Sequence, residues 1–456
     1  MARTFRQVGI AHRQLLTGHT FPVYRPSYYA EFRISRKAPY STTAVTTSKE
    51  DCGPLTKHLQ DQIRFGGPLS VAQFMRSALT HPLGGYYMKR DVFGAAGDFI
   101  TSPEISQMFG EELLLQLVGI WFITHWQTLG SPKDIQIVEL GPGRGTLMSD
   151  MLRALGHFPQ IHGAIRGVHM VDASPHLRQM QATKLAPSVK FPEDLKSVTR
   201  EDGLEVHWHE SLDSVPEGIC SMFVAHEFFD AMPIYKFELT KDGWREIVVT
   251  LDESPHSPHH FAFSLSEGPT KASSMIMAYE KFQHKYQVGD RIEVAPDSYA
   301  VSNRISRRIK ENSGGALFID YGRDYALGDS LRGIRKHQFV DVLSHPGEAD
   351  LSADVDFSFL RDSAQDLAAA HGPITQSTFL RAMGIAARMQ MLLKNADAEK
   401  RKDLATGFDR VVSPAGMGTV YKFLALTPLD CDQPYPFQPD PLMQHESPED
   451  QPAAAA

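Results

Sequence analysis

The sequence predicts an α/β fold built on a doubly wound, Rossmann-like parallel sheet, and three observations carry that prediction. A β-prone run, "IQIVEL" from Ile135 to Leu140, stops at the glycine cluster "GPGRG" and gives way to a helical pattern over Thr146–Leu155. Further short apolar runs then alternate with helical segments, as in βαβ units with right-handed crossovers. At 456 residues the chain is long enough to bury a large core around such a sheet.

A basic leader, 1–50, comes first. Residues Met1 to Lys49 carry eight Lys or Arg and one acid, Glu31, among many Ser and Thr. An Arg-rich, Ser/Thr-rich, acid-poor start reads as a mitochondrial transit peptide; the competing reading is a basic arm for nucleic acid or acidic lipid. The remainder holds 38 basic and 53 acidic side chains, a formal charge of −15. Such a body is a poor match for a phosphate backbone, so no nucleic-acid partner is expected, whereas a cationic partner is favoured at long range. Cys52, Cys220 and Cys431 are odd in number and far apart, which suggests neither a disulfide framework nor a zinc site and suits a reducing compartment such as the mitochondrial matrix.

Residues 51–134 read as an N-terminal helical cap, with helical spacing over Val71–Leu79 and Ser106–Trp126. The longest apolar stretch, Leu113–Ile123, is interrupted by Gln116 and falls short of the roughly 20 residues of a membrane span. The first part of the core, 135–230, holds strands Ile135–Leu140, Val168–Asp172, Leu204–His209 and Met222–His226, with helices Thr146–Leu155 and Pro175–Leu185 between them. A large insertion after the fourth strand, 231–313, opens with a hairpin turned by Asp242-Gly243. It continues through the strand in "HHFAFSL" to helices over Ser273–Tyr286 and Tyr299–Lys310, and is expected to build an acceptor pocket. The second part of the core, 314–427, contains the strand "GGALFIDYG", a helix over Thr378–Lys394 and the strand "TVYKFLAL". The proline-rich tail, 428–456, reads as disordered.

The glycines point to the cofactor. Gly141, Gly143 and Gly145 form GxGxG, with Thr146 where a dinucleotide-binding loop places its third glycine. GxGxG after the first strand, with the acid Glu139 just upstream, is the pattern of Rossmann-like S-adenosylmethionine-dependent methyltransferases. Missing Cβ atoms let the backbone approach the ligand, and the acid attracts the methionyl amine. Asp172 ends the next strand, where a carboxylate accepts both ribose hydroxyls; it would equally serve as a helix cap, although Ser174 is better placed for that. A nicotinamide-dependent oxidoreductase is the rival from another class.

Several longer motifs carry a resemblance. "GDFITSPEISQMFGE" (Gly97–Glu111), "VELGPGRGTL" (Val138–Leu147), "AHEFFDAMPIYKF" (Ala225–Phe237), "GWREI" (Gly243–Ile247) and "ADLSADVDFSFL" (Ala349–Leu360) together resemble the MidA-like methyltransferases, from about Leu69 to Leu426. The stretch between Phe109 and Trp121 is longer than the family's usual helix, which leaves its register open. The resemblance implies a protein arginine methyltransferase of the mitochondrial matrix that symmetrically dimethylates an arginine on the 49-kDa core subunit of respiratory complex I during assembly. A non-catalytic assembly chaperone on the same scaffold is the alternative.

With arginine as acceptor, carboxylates are needed to grip a guanidinium that stays protonated. "HEFFDAMP" supplies Glu227 and Asp230, which share a face if the turn is helical, and His226 as a candidate base. Asp230 also reads as a cap before Pro233. In "GDFITSPEIS", Asp98, Thr101 and Ser102 are placed to close over the cofactor, while Ser102, Pro103 and Glu104 also make a good helix start. Asp320 and Tyr321 reach toward the acceptor side or simply end a strand. No metal is expected: His256, His259 and His260 sit among prolines and serines without supporting ligands, as in a solvated loop.

Overall fold

The computed structural model describes residues 53–88, 110–189, 196–254, 260–283, 285–394 and 396–438. Helix Pro54–Gly66, the two-residue strand β1 (Leu69–Ser70) and helix Val71–Thr80 come first. Ser70 and Gln73 cap the second helix reciprocally, each side chain taking the other's backbone amide. Helix Gly110–Thr128 then leads to β2 (Ile135–Leu140), β3 (Ile165–Val171), β4 (Ser197–Thr199), β5 (Glu205–His209) and β6 (Cys220–His226), with helices Thr146–Leu155 and Pro175–Leu185 between them. Every residue of β2 is buried, as expected of a central strand covered on both faces.

After β6 the chain leaves the main sheet. Strands β7 (Tyr235–Thr240), β8 (Gly243–Leu251), β9 (Phe261–Leu265) and β10 (Arg291–Val294) form a separate antiparallel sheet that also takes in β1. Helix Pro296–Asn312 returns to the main sheet and leads into β11 (Gly314–Arg323). A second excursion follows, with β12 (Arg332–Arg335), β13 (Gln338–Val340), β14 (Asp350–Ser352) and β15 (Val355–Asp356). Helix Phe357–Ser363, β16 (Ala369–Thr375), helices Gln376–Ala382, Ile385–Lys394 and Ala398–Val412, and β17 (Tyr421–Thr427) complete the described chain.

The main sheet runs β16-β17-β11-β6-β2-β3-β5-β4. β2, β3, β5, β6 and β11 are parallel, and β17 runs antiparallel to both of its neighbours. From β2 the chain winds outward through β3 to β5 and then returns to β6 on the other side, so the order reverses between β2 and β6. In open α/β sheets the ligand crevice lies at this reversal, beyond the carboxyl ends of the strands. Trp121, Met148, Met151 and Leu185 cover one face of the sheet; Ile305, Ile309, Phe357 and Leu360 cover the other. Among the described residues, no helix is long and apolar enough to cross a membrane.

Five expectations change. The 51–134 segment is not one cap: helices Pro54–Gly66 and Val71–Thr80 pack with Ile234, Val249, Phe261, Leu343 and Leu351 of the two excursions, whereas Gly110–Thr128 packs on the main sheet. The first excursion ends before Pro296, because the next helix, expected inside 231–313, buries Ile305 and Ile309 against the sheet. The helix expected over Ser273–Tyr286 is the short Lys271–Ile276 followed by a 3-10 turn, and that over Thr378–Lys394 is broken at Gly384, whose φ is +88°. Within the tail, residues 428–438 are described and are not disordered: Phe437 is 6 % exposed and joins the core beside Phe379, at 6.2 Å between ring centroids.

Phe437→Ala is therefore expected to destabilise the fold by about 3 kcal/mol through the cavity it leaves, read as a lower urea midpoint. Equal midpoints for Phe437→Ala and the parent would refute the packing of this segment.

Candidate functional site

The carboxyl ends of β2, β3, β6 and β11 deliver Glu139, Asp172, His226 with Glu227, and Asp320 with Tyr321 to one edge of the sheet. On the β2 side, Gly141, Gly143 and Gly145 have φ of +63°, +51° and +77°. Three left-handed residues in five turn the chain from strand to helix within a space that side chains would obstruct. A Cβ on Gly141 would lie 2.8 Å from the Phe228 ring, so the loop after β6 closes directly on this turn.

Gln181, in helix Pro175–Leu185, binds the turn to the rest of the crevice. Its Nε2 donates to the Gly143 carbonyl and to Asp172 Oδ2, both at 2.8 Å, and its Oε1 accepts from Trp208 Nε1 at 2.9 Å. Sequence reasoning missed this residue, since a glutamine inside a helix gives no local signal of what it touches. Asp172 Oδ1 accepts the Ser174 amide at 2.8 Å, and Ser174 caps the helix by accepting from Leu177. Asp172 is thus not the cap, and burial pushes its pKa up to about 6 against the pull of these bonds.

Glu139 is 3 % exposed, and its Oε2 finds no hydrogen-bond partner among the described residues. Burial, reinforced by the nearby Asp172 charge, pushes its pKa up to about 8 while the Met148 amide opposes the shift. A buried carboxyl with an open acceptor oxygen fits a ligand that brings an ammonium group, as S-adenosylmethionine does.

Across the reversal point, β6 ends in His226 and the chain kinks at Glu227, where φ is +51°. The turn is therefore not helical, and Glu227 and Asp230 do not share a helix face as expected. Tertiary contacts place them instead. Glu227 donates its amide to the Ile319 carbonyl at 3.0 Å, and its Oε1 accepts the Tyr421 hydroxyl at 2.6 Å. Asp230 Oδ2 accepts the Tyr321 hydroxyl, whereas its Oδ1 has no partner among the described residues. Asp320 is 1 % exposed; its Oδ2 accepts the amides of Phe229 and Asp230 at 3.0 and 3.3 Å, which fixes the loop.

These carboxyls share one low-dielectric site. Burial raises the pKa of Glu227, raises that of Asp230 to about 6, and raises that of Asp320 well above the carboxylate range, with the charges of Asp230 and Glu227 adding to the last. His226 Nε2 lies 3.9 Å from Glu227 Oε1, but burial lowers its pKa to about 4, so the ring is neutral and a poor proton acceptor at neutral pH. Tyr421 carried no signal in the sequence beyond its strand. Asp98, Thr101 and Ser102 lie outside the described residues, as do His256 and His259. Among the described residues, no cluster of three or more His, Cys, Asp or Glu is arranged to hold a metal.

A carboxyl whose pKa is raised on folding contributes stability in acid that is lost as pH rises through the folded value. For Glu139 that window runs from its unperturbed 4.5 to about 8. Glu139→Gln, which cannot ionise, is accordingly expected to exceed the parent in stability by on the order of 3 kcal/mol near pH 9. The gain shrinks toward pH 5, and a difference independent of pH in urea titrations would rule out the buried free carboxyl.

Known proteins share the sequence and the fold. The sequence profile of the S-adenosyl-L-methionine-dependent methyltransferase family matches residues 117–374. The mitochondrial protein arginine methyltransferase NDUFAF7 of Danio rerio is 43 % identical over 381 residues, 82 % of this chain and 86 % of that protein. The Homo sapiens protein of the same name is 40 % identical over 404 residues, 86 % and 87 % of the two chains. A COG1565 superfamily member from Burkholderia thailandensis, crystallised with S-adenosyl-homocysteine, shares the fold with a TM-score of 0.65 at 24 % identity, covering 82 % of this chain and 91 % of that one. The cofactor is S-adenosylmethionine rather than a nicotinamide. The chain belongs to the S-adenosyl-L-methionine-dependent methyltransferase family that includes the mitochondrial protein arginine methyltransferases NDUFAF7.

Proposed function

We propose that this methyltransferase acts in the mitochondrial matrix on a protein arginine, and that its acceptor is the 49-kDa core subunit of respiratory complex I, which it dimethylates symmetrically during assembly. The names of the relatives support the arginine acceptor and the mitochondrial location. The acidic leader-free body, the basic leader and the resemblance of "HEFFDAMP" and its companion motifs support the rest. The observation that carries the reading is the pairing of Glu227 and Asp230 across the crevice from the glycine turn: each has one oxygen held by a tyrosine hydroxyl, and Asp230 keeps a buried oxygen open.

S-adenosylmethionine supplies an electrophilic methyl on a sulfonium. Glu139 and Asp172 are the side chains that would hold its ammonium and ribose beside the glycine turn. Glu227 and Asp230 orient the acceptor guanidinium and draw its positive charge away from the nitrogen that attacks. As the new N–C bond forms and the S–C bond breaks, the nitrogen sheds a proton. Asp230, with a pKa near 6, is better suited to receive it than His226, whose pKa burial has lowered to about 4.

Glu227→Gln and Asp230→Asn are each expected to lower the rate of methyl transfer to the 49-kDa subunit by about 100-fold or more while leaving S-adenosylhomocysteine affinity within about twofold. Transfer should also fall as pH drops through about 6, where Asp230 gains a proton. Mass spectrometry of the subunit from cells lacking the enzyme should show no symmetric dimethylarginine. A Gly143→Val protein that binds no cofactor yet restores complex I in those cells would establish the scaffold reading instead.

A further inference from the structure

Arg332 opens β12, in the second excursion, and stands over the acceptor acids without belonging to their strands. Its guanidinium carbon lies 4.6 Å from the centroid of the Tyr321 ring. Nη1 donates to Asp354 Oδ1 at 2.7 Å and to the Ser330 carbonyl at 3.3 Å. Beneath it, the Tyr321 hydroxyl donates to Asp230 Oδ2, and Asp230 Oδ1 stays open. An ion pair that served only to close the excursion would need Asp354 alone. The stack on Tyr321 is the additional feature, and a flat, permanently charged guanidinium is the side chain suited to it.

We propose that Arg332 is a positioning residue for the acceptor site: by fixing Tyr321 it keeps Asp230 Oδ2 occupied and presents Oδ1 to the incoming guanidinium, so the 324–356 excursion is part of that site. This inference rests on the arginine-acceptor reading. The groups that face Asp230 are Glu227 on its own loop, Asp320 and Tyr321 on β11, Arg332 on β12 and Tyr87 from the segment after helix Val71–Thr80. Arg332 is the cation in this set, while Glu227 and Asp320 are acids that disfavour a second negative charge. Without Arg332, the remaining neighbours shift Asp230 toward its protonated form, in which it grips a guanidinium less well.

Binding of Nα-acetyl-arginine amide to the full protein saturated with S-adenosylhomocysteine tests this, for the parent, Arg332→Met and Arg332→Lys. Arg332→Met is expected to bind about tenfold more weakly near pH 6.5 and to return to within about threefold of the parent near pH 8.5. Arg332→Lys, which keeps the charge but lacks the flat face that stacks on Tyr321, should bind about threefold more weakly at both values. Unchanged S-adenosylhomocysteine affinity shows that each variant folds. Equal affinity of Arg332→Met and the parent at both pH values would overturn the positioning role while leaving the arginine reading intact. Failure of the parent itself to bind the amide would overturn the arginine reading and this inference with it.

Discussion

Negative charge withheld from water organises this site. Glu139, Asp172, Glu227, Asp230 and Asp320 all come from the carboxyl ends of parallel strands or the loops that leave them, and burial raises the pKa of each. The guanidiniums of Arg332, near Asp230, Arg410, near Glu227, and Arg178, near Asp172, offset this negative charge without cancelling the upward shift of any of the five. A crevice of this kind favours ligands that are themselves cations. The two molecules that methyl transfer to arginine brings together are both of that kind: a sulfonium with an ammonium group, and a guanidinium. Ligand charge would then offset the cost of ionising acids whose pKa burial has raised.

The backbone makes that concentration of acids tolerable. Asp320 takes two loop amides, Asp172 takes the Ser174 amide and the Gln181 side chain, and each of Glu227 and Asp230 takes one tyrosine hydroxyl. Among the described residues these bonds leave two buried oxygens without a partner, Glu139 Oε2 and Asp230 Oδ1, one on each side of the reversal between β2 and β6. A buried acceptor without a partner is unfavourable, and it is also the feature that makes binding directional. Glu227 adds a second strained element: a non-glycine residue in the left-handed region, held there by its amide bond to Ile319 and its carboxyl bond to Tyr421.

The excursions extend the sheet's reach. Helices Pro54–Gly66 and Val71–Thr80 fill the space between the two excursions, which share one apolar cluster with them. The second excursion donates the Ala353 amide to the Asp230 carbonyl at 2.9 Å and sets Arg332 over Tyr321. The proposed acceptor side is thus assembled from β6, β11, β12, β17 and the segment before β15, while the proposed cofactor side is built mostly from β2, β3 and the helix that follows each, with Trp208 of β5 and Phe228 after β6 against it.

That asymmetry explains what was legible from the sequence. Strand Ile135–Leu140, the turn at Gly141–Gly145, helix Thr146–Leu155 and helix Pro175–Leu185 were readable to the residue, because periodicity, left-handed glycines and an Ser174 cap are local signals. Tyr421 meets Glu227 across 194 positions and Tyr321 meets Asp230 across 91, and nothing near either end announces the pairing. The non-helical turn at Glu227, the neutral His226, the division of the supposed cap, and the packing of Phe437 against Phe379 share that origin. Each depends on which distant surface covers the residue, and burial by remote chain is a property of the folded whole that no short window of sequence contains.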